Sequence, residues 1–152
     1  MRRLPPLLRR AWFSLNQAFR QRLSPLGITP DQYTILRWLY EGDPEGLTQS
    51  EITGHMASDP NTITSTVRRM ENAGLLERLP HESDGRAKRV RLLPHGKSTF
   101  LSAQKLAFEL QGNVLGCLNT TESRTFLALL ERVGEAALEE AAPKRPSPGE
   151  LP

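Results

Sequence analysis

The chain has 152 residues, 38% of them apolar, and 20 Lys/Arg against 17 Asp/Glu give a formal net charge of +3. That is one domain with one core. No apolar run approaches the roughly 20 residues of a membrane-spanning helix, and the single cysteine, Cys117, can form no internal disulfide, which fits a reducing cytoplasm. The mild basic excess leans toward an anionic partner. Its distribution says more: six arginines and no acid precede Asp31, and eight Lys/Arg stand against five Asp/Glu between His55 and Lys97.

The N-terminus, MRRLPPLLRRAW, is basic, but Pro5, Pro6, Arg9 and Arg10 interrupt its apolar stretch, so it does not read as a secretion signal. Helical periodicity then dominates. Leu8, Ala11, Trp12, Leu15, Phe19 and Leu23 recur at three- and four-residue steps and predict a first helix over residues 7–23, closed by Ser24, Pro25 and Gly27. Thr29, Pro30 and Gln32 form a helix start with a capping box. The second helix carries Ile35, Leu36, Leu39 and Tyr40 up to the break at Gly42. Thr48 and Glu51 repeat the box and open a short third helix over residues 49–57. A fourth starts at Asp59 with Pro60 in its first turn and runs to about Ala73, where Gly74 is placed as a left-handed stop. Ile63, Val67 and Met70 form its apolar stripe.

After Gly74 the period changes. Residues 76–79 and 89–92 read as two strands, and between them PHESDGRAK holds the turn signal Asp84-Gly85. Two long helices follow, over residues 94–118 and 121–141, and a proline-rich segment, 142–152, reads as a disordered tail. The fold class is therefore mainly α with a small β-hairpin.

Two helices joined by a turn near Ser58-Asp59 have the form of a helix-turn-helix. The second helix of such a pair presents its N-terminal residues to the DNA major groove. Pro60 opens that face, and Asn61, Thr62, Thr64 and Ser65, with Arg68 and Arg69 a turn later, have the short polar and cationic side chains that meet phosphates and base edges. Free amides at that helix N-terminus favour phosphate as well. Polar helix faces also occur simply as solvated surface. The hairpin shifts the balance, because Arg86, Lys88, Arg89 and Arg91 cluster on it. Arg89 and Arg91 alternate with Val90 and Leu92, share one face and read as phosphate contacts.

These stretches, LTQSEITGHMASDPNTITSTVRRMENAGLLER and SDGRAKRVRLLPHGK, resemble the MarR family of winged helix-turn-helix transcription regulators over about residues 7–141. Asp84 and Arg86 match the family's Asp-x-Arg wing, and Gly96 is kept, whereas Pro94 replaces the usual threonine. The resemblance implies a cytoplasmic homodimer and, most often, a repressor, in which residues 29–93 read DNA and helices 7–23 and 94–141 dimerise. It implies that Arg86 enters the minor groove while Asp84 orients it. It also implies a small, often aromatic, effector that releases DNA. Trp12, Tyr33, Arg37 and Trp38 can line its site, with Arg37 on a carboxylate; aromatics at helical spacing are more often core.

The apolar faces of the last two helices are more than one small domain can bury, which a symmetric dimer resolves. Two reading heads then favour a pseudo-palindromic operator. Cys117 has no adjacent cation and reads as inert. The three histidines are too far apart in sequence to suggest a metal site, and no phosphate loop or nucleophile elbow suggests an enzyme. No cofactor is expected. The competing function is a winged-helix protein-interaction adaptor, which would be expected to lose Arg86 or Arg68 first.

Overall fold

A computed structural model describes residue 1, residues 3–80 and residues 88–142, with Lys88 described by its backbone alone. Six helices and one three-stranded antiparallel sheet follow in the order α1 (Leu4–Leu23), α2 (Pro30–Glu41), β1 (Leu47–Thr48), α3 (Gln49–Met56), α4 (Pro60–Asn72), β2 (Leu76–Pro80), β3 (Lys88–Leu92), α5 (Pro94–Leu115) and α6 (Thr120–Ala141). This is the mainly helical, winged architecture expected. No described helix is long and apolar enough to cross a membrane.

Local chemistry sets the boundaries. α1 begins three residues earlier than the periodicity predicts, because Pro5 and Pro6 fall in its first turn, where no amide donor is needed. Both predicted capping boxes form, Thr29 with Gln32 and Thr48 with Glu51. A third, Asn119 with Glu122, opens α6. That cap and Gly116 close α5 short of the expected Leu118. Gly74 takes φ +71° as expected. Its N–H reaches the Glu71 carbonyl at 2.9 Å and the Leu75 N–H reaches Met70 at 3.0 Å, so α4 turns into β2 within three residues.

The sheet contains a strand that the sequence did not announce. Leu47 pairs with Val90 and Thr48 with Arg89, giving the order β1-β3-β2. Gly46 makes this approach possible: it sits at φ +96°, and a Cβ there would lie 2.2 Å from the Val90 carbonyl oxygen.

The chain divides into two compact units, Met1–Leu110 and the remainder from Gln111. The core of the first joins α2, α3, α4, the sheet and the first half of α5 through Ile35, Leu36, Ile52, Val67, Met70, Leu76, Val90 and Phe100, all without exposed surface. On α1 only Leu23 is buried, while Leu4, Leu7, Trp12 and Phe13 are each more than half exposed. In the second unit no α6 residue is buried, and Phe126, Leu127, Leu129, Leu130 and Leu138 are exposed.

Candidate nucleic-acid interface

α4 carries the expected polar face. Ile63, Thr66, Val67 and Met70 are buried, leaving Pro60, Asn61, Thr62, Ser65, Arg68 and Arg69 exposed. Thr64 departs from the expectation. It is half-buried, accepts from Gln49 Nε2 at 2.8 Å and donates to the Pro60 carbonyl at 2.8 Å, so its hydroxyl ties α4 to α3. Gln49 has no signal in the sequence, since it lies 15 residues away on another helix. Arg69 reaches back to the Thr66 hydroxyl at 3.3 Å. Arg68 has no ion-pair or hydrogen-bond partner among the described residues.

The α4 N-terminus is less open than a row of free amides. Asp59 caps it, accepting the Thr62 N–H at 2.9 Å and the Thr62 hydroxyl. The side-chain bond from Thr62, then its backbone bond, holds the Asp59 carboxyl below the usual carboxylate range. Backbone and side-chain bonds from Thr48 lower Glu51 in the same way. Both groups favour the charged form in the fold. Their stabilisation is therefore present above the ordinary carboxylate value near 4 and is lost as pH falls through the lowered folded values. Asp59→Asn with Glu51→Gln keeps the caps but removes the titration. The acid-unfolding limb, followed by circular dichroism from about pH 5 down to about pH 2, is expected to be shallower in that variant; an unchanged limb would show that the caps do not titrate with folding.

The helix-turn-helix turn holds Ala57 at φ +47°, a left-handed conformation that ordinary side chains seldom adopt. A surface cavity of about 150 Å³ opens beside it, between Asp31 and Ile35 of α2, Met56, and Thr62 and Thr66 of α4.

The base of the hairpin is built from ion pairs. Arg91 donates from Nε and Nη2 to Glu77 Oε1 at 3.1 and 2.7 Å, directly across the β2–β3 register, and Glu77 pushes its pKa up. Arg89 donates to the Gly46 carbonyl at 2.9 Å and lies 3.7 Å from Asp43. Arg78 binds Glu71 at the end of α4. Val90 faces the core, so Arg89 and Arg91 share the opposite face as the alternation predicts. Both are engaged by protein groups, which leaves less of their charge for phosphate. Asp84, Arg86, the Lys88 side chain and the residues from 143 onward lie outside the described residues.

Of the four residues named for an effector, Tyr33, Arg37 and Trp38 lie on α2 and Trp12 lies on α1. Tyr33 packs edge-on to Phe19 at 5.0 Å and stacks on Phe100 at 5.6 Å, and burial pushes its hydroxyl pKa up. Trp38 stacks on His55 at 4.1 Å, with the Arg37 guanidinium 5.2 Å from its ring centre. Trp12 stands 66% exposed on α1. Arg37 Nε and Trp38 Nε1 are buried without a hydrogen-bond partner among the described residues.

Residues 28–88 match the profile of the MarR family. Over 84% of its length the chain is 29% identical to 91% of the HTH-type transcriptional repressor Rv2887 of Mycobacterium tuberculosis. Among solved structures it is similar to wild-type MarR from E. coli, in the apo form, with 25% identity, 88% of this chain and 97% of that one covered, and a TM-score of 0.75. It is also similar to the M. tuberculosis transcriptional regulator MosR in complex with DNA, with 26% identity, 90% and 98% covered, and a TM-score of 0.70.

Proposed function

We infer that this chain, which belongs to the MarR family, is a sequence-selective double-stranded-DNA-binding transcription regulator rather than an enzyme. The observation that carries this reading is α4: its apolar side is sealed into the core while Asn61, Ser65, Arg68 and Arg69 remain exposed on the other. Pro60 and Thr62 frame the start of that face, and Thr64 supports it from α3. The relative MosR, solved in complex with DNA, and the relative Rv2887, named a repressor, support the same assignment.

The working form is a cytoplasmic homodimer that represses by occupying a pseudo-palindromic operator, with half-sites about one helical turn apart. The uncovered apolar surfaces of α1 and α6 support a second copy as their cover. In the wing, Arg86 reads the minor groove and Asp84 orients it. Lys88 takes the phosphate role there, with Arg89 and Arg91 contributing only the charge their partners leave. Release by a small aromatic effector is part of the same reading. The Arg37–Trp38 pair, with its two buried donors unpartnered among the described residues, is the group best suited to an acidic ring, and Tyr33 and Trp12 are its further candidates.

The test is an anisotropy titration of the full chain against the DNA upstream of its own gene and against unrelated DNA, from low to moderate salt. Selective binding is expected, with a log–log salt slope near −9 for about ten phosphate contacts. Binding to neither duplex at low salt would favour the protein-interaction adaptor.

A further inference from the structure

We propose that Glu71 and Arg78 are positioning residues for DNA recognition: their ion pair fixes the wing strand β2 against the reading helix α4, and Arg78 makes no phosphate contact. The inference rests on the DNA-binding reading above.

Its first support is the geometry of the pair. Glu71 stands in the last turn of α4, and Arg78 stands in the middle of β2. Arg78 Nε donates to Glu71 Oε2 at 2.9 Å, its Nη2 donates to the same oxygen, and its backbone N–H reaches Oε1 at 3.3 Å. One carboxylate thus takes both the side chain and the main chain of the strand. In the order β1-β3-β2 the second strand is an edge, so Glu71 also occupies an outward-facing amide that would otherwise be unpaired. The link between the two elements is only the three residues Ala73, Gly74 and Leu75. A short link with a doubly anchored closing contact leaves little freedom between helix and strand.

The second support is electrostatic. Sequence alone reads Arg89 and Arg91 as phosphate contacts and says nothing of a partner for Arg78. In the fold each meets a carboxylate: Arg78 meets Glu71, Arg89 meets Asp43 and Arg91 meets Glu77. The Arg78 pair is the least exposed, with side chains 20% and 31% accessible. A guanidinium already committed to a carboxylate through two charge-assisted hydrogen bonds has little left to neutralise a phosphate. The base of the wing therefore acts as a frame for the groups that touch DNA.

The two roles predict opposite signs. Removing the Glu71 charge takes away an anion that repels DNA, so if the pair mattered only through net charge, Glu71→Gln would bind every duplex more tightly. If the pair sets the angle between helix and wing, Glu71→Gln weakens binding to the selective duplex. The probe is the full chain titrated by anisotropy against the upstream duplex that the wild type prefers and against unrelated DNA, across salt, at a temperature where thermal melts show every variant folded. Glu71→Gln and Arg78→Gln are each expected to lose about tenfold on the preferred duplex. Binding to unrelated DNA and the salt slope stay at the wild-type value, and the double variant loses less than the two singles combined. The exchanged pair Glu71→Arg with Arg78→Glu is expected to recover part of the loss. A slope reduced by about one in Arg78→Gln would make Arg78 a phosphate contact and overturn the proposal. Tighter binding to both duplexes by Glu71→Gln, or unchanged preference in both singles, would overturn it too. If the wild type itself shows no preference, the DNA-binding reading falls first and this one with it; if the wild type is selective and the singles are as well, this one falls alone.

Discussion

Phe100→Ala is expected to cost about 3–5 kcal/mol of folding stability, the usual range for a fully buried aromatic truncated in a packed core. Phe100 has no exposed surface. Its ring stacks on Tyr33 at 5.6 Å and lies tilted on Tyr40 at 4.7 Å, so one side chain of α5 meets two turns of α2. Lys97, one turn earlier, places its ammonium 5.8 Å from the Tyr40 ring, an addition worth only about 0.5–1 kcal/mol at an exposed site. Truncation leaves a cavity that two rings cannot close without breaking the edge contact between Tyr33 and Phe19. Against the roughly 5–15 kcal/mol that holds a small domain folded, such a loss is a large share of the total. Urea unfolding at one fixed protein concentration, with and without the substitution, measures it; a loss below about 1 kcal/mol, within the reach of surface changes, would remove Phe100 from the centre of the core.

Much of this architecture is written locally, and the rest is not. Thr29 with Gln32 and Thr48 with Glu51 are legible because a capping box needs only residues three apart, and both form. Gly74 is legible for the same reason, being a stop placed against its own helix. Asn119 with Glu122 follows the same rule and starts α6 at Thr120, one residue before the predicted start. β1 is a different matter. Two residues have no period, and only the pairing of Leu47 with Val90 makes them a strand. Gly96 shows the limit for single residues. The sequence marks it as kept, but the reason lies in the packing, where a Cβ would fall 1.9 Å from the Leu75 carbonyl oxygen. The ion pairs of the wing base were beyond reach. Arg89 meets Gly46, 43 residues away, and Arg91 meets Glu77, 14 residues away. A run of arginines therefore reads as free charge until the fold supplies its partners. The aromatic residues of α2 illustrate the opposite case, because Tyr33 at helical spacing packs, half-buried, against the core.

Arg68→Ala carries the largest expected loss of DNA affinity among the described residues, about 1–3 kcal/mol on the preferred duplex. The argument is one of elimination by contacts. Of the cations on α4 and the strands whose side chains are described, Arg69 is drawn back to Thr66, Arg78 is held by Glu71, Arg89 by Gly46 and Asp43, and Arg91 by Glu77. Arg68 is exposed on the same face as Asn61 and Ser65 and has no such partner. A free guanidinium gives up no internal bond when it meets a base edge or a phosphate, and its removal leaves the folded chain almost unaffected, since an exposed unpaired arginine adds little to stability. The salt dependence then assigns its role. If Arg68 grips a phosphate, affinity falls on every duplex and the log–log slope shrinks by about one. If it reads a guanine edge, the loss is confined to the preferred duplex. Arg91→Ala serves as the paired control: it removes the same formal charge, but from a group that Glu77 already neutralises. Equal losses in the two variants would mean that DNA senses only the total charge of the reading head, and the face of α4 would lose its claim to recognise sequence.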